Sequence, residues 1–330
     1  MLARVGLKHF FLDSHGILYG TPRPQNGVHS PVKCQSGMVA FARDPECSAQ
    51  VWSNEEGYPG DPAYREFYRD AGYDREFDQV RSCLHADGVR RNIGIKYHRV
   101  TGKEVPLHEK EPYNPAITTA RAAEHAADFL ARREEQIEAL VDSLGQEPVI
   151  TAPYDAELFG HWWHEGPLFL EEFLRLAGKS RILKLETPSS YLSRQPDLQT
   201  ITPAASSWGD KGYFEVWINS SNDWIYRHLH RAESRMVEMA SGNRGATGLL
   251  ERALNQAARE LMLMQSSDWA FIMATGTMVE YAEKRTRDHL DRFTRLHKMI
   301  DEGSIDEAAL QEMESRDSIF PEINFRIYCE

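Results

Sequence analysis

The chain has few cysteines and no long apolar run, and both absences narrow the class of protein. The four cysteines of this 330-residue chain show no Cys-x-x-Cys pairing, which predicts a reducing compartment, the cytoplasm. A run of about 18 apolar residues, the length needed to span a bilayer, does not occur, and neither does a leader-like apolar segment. We therefore expect neither secretion nor a membrane partner.

The chain also lacks an excess of basic residues. Its formal net charge of -12 argues against nucleic acid and anionic lipid as partners, because both demand a basic surface. Glycine-rich phosphate loops, nucleotide fingerprints and Gly-x-Ser-x-Gly elbows are missing too, so no cofactor is expected. These absences favour a neutral or cationic ligand.

Aromatic residues are plentiful in places where core packing does not require them. Seven Trp and thirteen Tyr cluster in Gly-rich and polar segments, where flat rings suit stacking on sugar faces. Ordinary burial of a large side chain is the alternative for any single Trp. Trp208, flanked by Ser and Gly, is predicted to be exposed, whereas Trp224 is predicted to pack in a core.

The apolar spacing predicts an α/β region followed by an all-helical one, with the boundary near residues 205–220. Strands are predicted over residues 7–12, 38–42, 50–53, 94–100, 148–152 and 181–185. Helices are predicted over 118–144, closed by Gly145, over 166–177, and from Thr187 onward. Beyond the boundary the predicted helices cover 222–241, 246–265, 268–302 and 305–314. The alternation in the first region is typical of a parallel sheet or barrel.

Asp155 is the candidate catalytic acid. It follows the predicted strand 148–152, and catalytic residues of α/β folds sit at such strand ends. The rings and the imidazole of the following segment, 159–163, favour the protonated carboxyl that a general acid needs. Glu157 lies on the same side if the strand geometry continues. The alternative is a solvated carboxylate in a turn.

Two further segments carry polar candidates. His161 and His164 form an i, i+3 pair without a third ligand, so we expect His161 to donate a hydrogen bond to a sugar hydroxyl and no metal to bind. Residues 265–269 are read first as a helix N-cap and second as a ligand contact that includes Asp268.

Several ordered motifs together resemble the 1,4-α-glucan branching enzymes of glycoside hydrolase family 57. They are Tyr-Asp-Ala-Glu-Leu-Phe-Gly-His-Trp-Trp at 154–163, Gly-Tyr-Pro-Gly-Asp-Pro at 57–62, Tyr-Arg-Glu-Phe-Tyr-Arg-Asp at 64–70, Gly-Ile-Lys-Tyr at 94–97, Ser-Ser-Trp-Gly at 206–209, Val-Trp-Ile-Asn at 216–219 and Gln-Ser-Ser-Asp-Trp at 265–269. The resemblance implies a partial (β/α)7 barrel over residues 1–210 and an all-helical C-terminal domain over 211–330. It also implies a retaining transfer of α-1,4-glucan segments onto a 6-hydroxyl, which forms the α-1,6 branches of glycogen.

The same resemblance implies roles for single residues. Asp155 would be the general acid/base, and amylose or glycogen would be the substrate. Trp208 would line the subsites, Trp217 would support it, and Asp268 would reach the glucan from the helical domain. Arg65 and Gly88 would be further substrate contacts.

One part of the family pattern is not found in the sequence. The family's nucleophilic Glu belongs to a motif upstream of the strand that ends at Asp13, so we expect this chain to carry the acid/base without the nucleophile. A separately encoded N-terminal segment is then an expected partner, and the isolated chain is expected to be inactive. The alternatives are a non-catalytic glucan-binding relative, and 4-α-glucanotransferase or amylase specificity.

Overall fold

The computed structural model describes residues 2–195 and 197–329. The chain divides into two compact units, Met1–Ser206 and Ser207–Glu330. The described residues are mostly helical and carry one three-stranded sheet. None of their helices combines the length and the apolar character that crossing a membrane requires.

The sheet of the first unit consists of β1 (His9–Leu12), β2 (Val32–Lys33) and β3 (Val39–Ala42). The strand order is β1-β3-β2, with β1 parallel and β2 antiparallel to β3. All four residues of β3 are buried, as expected for a central strand with apolar side chains on both faces. The strands predicted over 7–12 and 38–42 are therefore confirmed with small shifts of their ends.

Besides short 3-10 turns, the first unit also contains α-helices. They are α1 (Ser14–Leu18), α2 (Pro45–Trp52), α3 (Ala71–Asp74), α4 (Phe77–Val80), α5 (Pro115–Leu144), α6 (Gly166–Ala177) and α7 (Pro188–Arg194). The predicted end of α5 is confirmed, because Gly145 adopts the left-handed conformation with φ 64° and donates to Val141 O. Thr187 caps α7 through a side-chain bond to Ser190 N, as its position predicts.

Four predicted strands are wrong. Residues 50–53 lie at the end of α2, which begins after Asp44 because that carboxylate accepts a bond from Cys47 N. Segments 94–100 and 181–185 form no ladder, and 94–100 makes isolated bridges only. Segment 148–152 forms no ladder either and pairs through single backbone bonds, Val149 N to His29 O and Asp44 N to Thr151 O. An alternating pattern predicts an extended chain, whereas a strand also needs a neighbour to pair with. The partial (β/α)7 barrel accordingly stays a proposal.

The second unit is built from α8 (Trp224–Gly242), α9 (Gly248–Met264), α10 (Ser267–Thr275), α11 (Val279–Asp301) and α12 (Glu307–Arg316). No strand occurs in the described residues 207–329, which agrees with the sequence. The predicted helix over 268–302 is instead two helices, because Gly276 with φ 72° ends α10 in a left-handed cap. One continuous core joins α8, α9, α10, α11 and α12.

Candidate functional site

Asp155 stands exposed at the start of a short 3-10 turn, Ala156–Leu158. Its φ of -66° and ψ of 137° are extended, and its carboxylate makes no capping bond to the turn. Because the chain turns at Ala156, the two-residue alternation of a strand does not carry on to Glu157. The condition under which strand geometry would place these two carboxylates on one side is therefore not met, and both side chains are exposed.

The segments on both sides of Asp155 are anchored in the core. Tyr154 Oη donates to Cys47 O at 3.0 Å, and burial raises the pKa of this phenol, so it remains a neutral donor. On the other side Leu158 and Trp163 are buried, and Trp163 N donates to Leu158 O at 2.8 Å. The two anchors fix the position of the backbone that carries this carboxylate. Its exposure on a turn is also what the alternative, a solvated carboxylate, predicts, so the acid role stays a prediction.

A continuous line of ring contacts includes His161 and Trp162, which follow Asp155 closely in the sequence. The centroid distances are 5.5 Å for Trp52 and Trp162, 6.1 Å for Trp162 and His161, 5.5 Å for His161 and Phe67, and 5.2 Å for Phe67 and Tyr68. We call these five residues the aromatic strip. Trp52 and Trp162 are 44% and 42% exposed, an unusual state for two neighbouring indoles in a folded protein.

The strip borders a pocket of about 890 Å³ within the first unit, with all its members except His161 among the lining residues. Two buried charged residues, Glu66 and Lys110, also line it. Lys110 Nζ donates to Val100 O and Gly102 O at 2.7 Å each and lies 3.5 Å from Glu66 Oε2. The other oxygen of Glu66 accepts from Tyr68 N at 2.8 Å. The wall behind the rings is therefore fixed by hydrogen bonds.

Arg65 lines this pocket, whereas Gly88 does not. Arg65 N donates to Glu165 Oε1 at 3.1 Å, and Glu165 is 1% exposed, so the backbone that carries this guanidinium is tied to a buried carboxylate. Gly88 lies in an exposed loop with φ 67°, a conformation that favours glycine. One of these two predicted substrate contacts therefore lines the pocket, and the ligand role of both stays a prediction.

In the second unit, Ser207 organises the loop that carries Trp208. Its Oγ accepts from Gly209 N at 3.0 Å and from Trp217 Nε1 at 3.1 Å. A Cβ at Gly209 would lie 2.5 Å from Tyr213 O and 2.9 Å from Trp217 Nε1, so only glycine fits there. Trp208 between them is 43% exposed, which confirms the predicted exposure.

Asp268 belongs to the first turn of α10 and is exposed. Phe271 follows it three residues later on the same face of the helix, and the Phe271 ring lies 6.3 Å from that of Trp217. The helix begins after Ser266, as the N-cap interpretation of 265–269 predicts, although the Ser266 side chain makes no capping bond. Phe271 therefore contacts Trp217 and shares a helix face with Asp268, so these residues belong to one surface of the second unit.

The sequence missed Trp52. The pattern of residues 50–53 predicts a strand, whereas these residues end α2 and Trp52 is exposed there. The signal that would have found it is the polar run Ser53-Asn54-Glu55-Glu56 directly after Val51-Trp52, since such a run ends a helix and exposes its last side chain.

One cluster has the composition of a metal site. Ligand atoms of Glu260, His289 and Asp317 lie within 4.8 Å of one another. However, Arg292 Nε donates to Glu260 Oε2 at 3.0 Å, and Arg292 Nη2 lies 3.0 Å from Asp317 Oδ2. The guanidinium therefore takes the place that a cation would need.

Comparison with known proteins supplies the remaining evidence. Residues 228–328 match the family model described as 1,4-alpha-glucan branching enzyme, C-terminal. A 1,4-alpha-glucan branching enzyme of Thermococcus kodakarensis is 35% identical over 338 residues, covering 97% of this chain and 47% of the relative. A probable branching enzyme of Mycobacterium tuberculosis is 29% identical, covering 87% of this chain and 51% of the relative.

Solved structures of related enzymes also match this chain. An α-amylase of Thermotoga maritima is 49% identical with a TM-score of 0.85, and the match covers 99% of this chain and 61% of that one. A branching enzyme of the same glycoside hydrolase family from Pyrococcus horikoshii is 35% identical with a TM-score of 0.82, covering 99% and 57%. The T. kodakarensis branching enzyme, solved in complex with glucose, has a TM-score of 0.83.

The fold and these matches define a relative of the family 57 glycoside hydrolases. The chain is similar to the 1,4-α-glucan branching enzymes of that family and corresponds to part of their length. It spans about half the length of the curated relatives it matches.

Proposed function

We propose that this chain is part of a 1,4-α-glucan branching enzyme with Asp155 as its general acid/base. The observation that carries the proposal is the exposed Asp155 carboxylate on its anchored turn, within a chain that aligns with a branching enzyme over 97% of its length. The glucose bound in the T. kodakarensis relative supports a glucan substrate. Residues 1–210 are the partial (β/α)7 barrel of this proposal, and 211–330 are the helical domain.

The proposed reaction is a retaining transfer in two steps. The Asp155 carboxyl gives its proton to the glycosidic oxygen of an α-1,4 bond, while a second carboxylate attacks the anomeric carbon and forms a glycosyl ester. The shortened glucan leaves with the proton. The Asp155 carboxylate then takes the proton of a 6-hydroxyl, whose oxygen attacks the anomeric carbon, releases the second carboxylate and forms an α-1,6 bond.

The second carboxylate is proposed to come from a segment outside this chain. Retaining enzymes hold their two carboxyl groups about 5 to 5.5 Å apart across the scissile bond. Glu157 is only two residues from Asp155 in the same short turn, and we propose that it is too near to face Asp155 across a glycosidic bond. A separately encoded or otherwise additional N-terminal segment is the proposed source, and the chain by itself is proposed to be inactive.

Five further side chains and one glycine are proposed to bind α-glucan. Arg65 and His161 act from the pocket and from the aromatic strip that borders it, and Gly88 acts through its backbone. Trp208, Trp217 and Asp268 act from the surface of the second unit.

The test is complementation. The chain is mixed with the N-terminal segment of a family 57 branching enzyme, and the α-1,6 content of amylose is measured by debranching. Asp155→Asn should lower turnover about 10²- to 10⁴-fold, the range for loss of a general acid/base. Glu157→Gln is the matched control and should leave turnover within about threefold, well below that range. Full branching by Asp155→Asn, or by the chain alone, would contradict the proposal.

Hydrolysis is a second candidate, favoured by the 49% identity to the T. maritima α-amylase. Transfer and hydrolysis differ only in whether a sugar hydroxyl or water attacks the glycosyl ester. The two are separated by product analysis, because branching forms α-1,6 bonds at a constant number of reducing ends. A rise in reducing ends without α-1,6 bonds would replace branching by amylase activity.

A further inference from the structure

We propose that the aromatic strip and the pocket beside it form an α-glucan subsite whose principal contacts are Trp52 and Trp162. The inference rests on the proposed function, because it takes the same class of substrate. It assigns binding to two indoles that the sequence did not single out as ligand contacts.

The exposed rings are the first argument. Trp52 and Trp162 keep 44% and 42% of their surface exposed and belong to none of the buried clusters of the first unit. Their removal would therefore not open a cavity in the core. Exposed neighbouring indoles are typical of ligand surfaces, and flat rings pack against the apolar faces of sugars.

The succession of the rings is the second argument. The strip leads from Trp52 to Tyr68 through four consecutive ring contacts, with adjacent rings tilted by 45° to 88°. Such changes of orientation offer differently directed faces to consecutive units of a curved polymer. A single monosaccharide would use only one or two of these rings, so the geometry fits an oligosaccharide.

The charge of the pocket is the third argument. Its lining residues include three carboxylates and three cations, with Glu66 and Lys110 paired at 3.5 Å. The other four are Glu55, Glu104, Arg65 and Lys103. A balanced set of charges neither attracts an ion of one sign nor repels a neutral ligand, and charged groups make strong hydrogen bonds to hydroxyls. A neutral polyol meets both conditions.

Wall rigidity is the fourth argument. Lys110 and Glu66 are 8% and 6% exposed and are fixed by bonds to backbone atoms of segments 66–68 and 100–102. Phe67 is held against Lys96, whose Nζ lies 5.4 Å from the ring centroid. A preformed wall lowers the ordering cost of binding an otherwise flexible glucan.

The experiment is isothermal titration of the full 330-residue chain with maltoheptaose, an α-1,4-linked glucan. Trp52→Ala and Trp162→Ala should each weaken binding about tenfold, the range of an anchor residue. Tyr19→Ala is the matched control, because Tyr19 is an exposed ring of the same unit that does not line the pocket. It should leave affinity within about twofold, below the range of an anchor residue.

Conservative variants keep the test independent of folding. Trp52→Phe and Trp162→Phe retain a ring and should recover most of the affinity that the alanine variants lose. Unchanged affinity in both alanine variants, or no maltoheptaose binding by the wild-type chain, would overturn the subsite. Normal binding combined with no α-1,6 bonds after complementation would instead refute the branching function and leave the subsite standing.

Discussion

At the scale of single residues, His125 joins the two aromatic segments that support the pocket loops. Its Nδ1 shares a hydrogen bond of 2.8 Å with Tyr64 Oη, and its ring stacks on Tyr58 at 4.7 Å. Burial lowers the pKa of His125, although Asp61 at 3.5 Å from Nε2 acts to raise it. The neutral imidazole is therefore the form that the fold favours.

This pKa predicts how stability depends on pH. The folded pKa lies below the unfolded value of 6.5, so the unfolded state takes up the proton first as pH falls. The contribution of His125 is fully present above pH 6.5 and declines below it. The melting temperature of the wild type should therefore exceed that of His125→Gln most near neutral pH. This difference in melting temperature should shrink by a few degrees towards pH 5.

The pH dependence of the melting temperature of His125→Gln is the control for that measurement. Burial also lowers the pKa of His29, His98 and His164, so the His125→Gln chain should still lose some stability in acid. A difference in melting temperature that stays constant across the pH range would show that His125 does not titrate as proposed.

The exposure of a single side chain could be predicted where it depends on its neighbours in the sequence. Trp208 between Ser and Gly is exposed, because its surroundings offer little apolar surface. Trp52 could not be found this way, since its exposure depends on where α2 ends and on Trp162 from a distant segment. The ion pair of Glu66 and Lys110, 44 positions apart, likewise exists only in the folded chain.

At the scale of elements, α9 and α11 are joined by a buried ionic network. Glu260 on α9 accepts from His289 Nδ1 at 2.7 Å and from Arg292 Nε at 3.0 Å, both on α11. Burial acts to raise the pKa of Glu260, but these hydrogen bonds hold it below its ordinary value. The group is thus a carboxylate in the core, stabilised by donors from the neighbouring helix.

Removing the negative charge of Glu260 should lower the free energy of unfolding. Glu260→Gln leaves the Arg292 and His289 donors partly unpaired, and breaking a buried pair typically costs about 3 to 5 kcal/mol. Urea unfolding should show this loss in the free energy of unfolding. Glu312→Gln is the matched control, because Glu312 pairs with Arg316 on the surface of α12 and such pairs contribute about 0 to 1 kcal/mol.

A chelator distinguishes this network from a metal site. Since Arg292 lies between the carboxylates of Glu260 and Asp317, EDTA should leave the melting temperature unchanged. Equal effects of Glu260→Gln and Glu312→Gln, or a fall of the melting temperature in EDTA, would contradict the interpretation.

The elements themselves were predictable to different degrees. Long helices carry their own signals, and the left-handed Gly145 and the capping Thr187 stand where the sequence placed them. Gly276 carried the same signal and was overlooked inside a long charged pattern, so one predicted helix is in fact α10 and α11. The strands over 94–100, 148–152 and 181–185 failed because their pairing depends on partners that no local pattern reveals.

At the scale of the molecule, the two units differ in how their cores are built. Residues between Ile225 and Phe325 form a single buried cluster in the second unit. The first unit divides its buried residues among three smaller clusters. A single large core is what an independently folding domain requires. The second unit begins at Ser207, close to the boundary predicted at 210/211. We propose that this unit folds by itself.

Expression of residues 207–330 by themselves tests this proposal. The segment should show strong helical circular dichroism and one cooperative urea transition, with a free energy of unfolding of about 5 to 15 kcal/mol, the range of natural domains. Leu296 is fully buried, so Leu296→Ala should lower that value by about 2 to 5 kcal/mol. Met278 is 61% exposed, and Met278→Ala should change it by less than about 0.5 kcal/mol. A broad transition, or equal responses to both substitutions, would mean that the helical core is not specific without the rest of the chain.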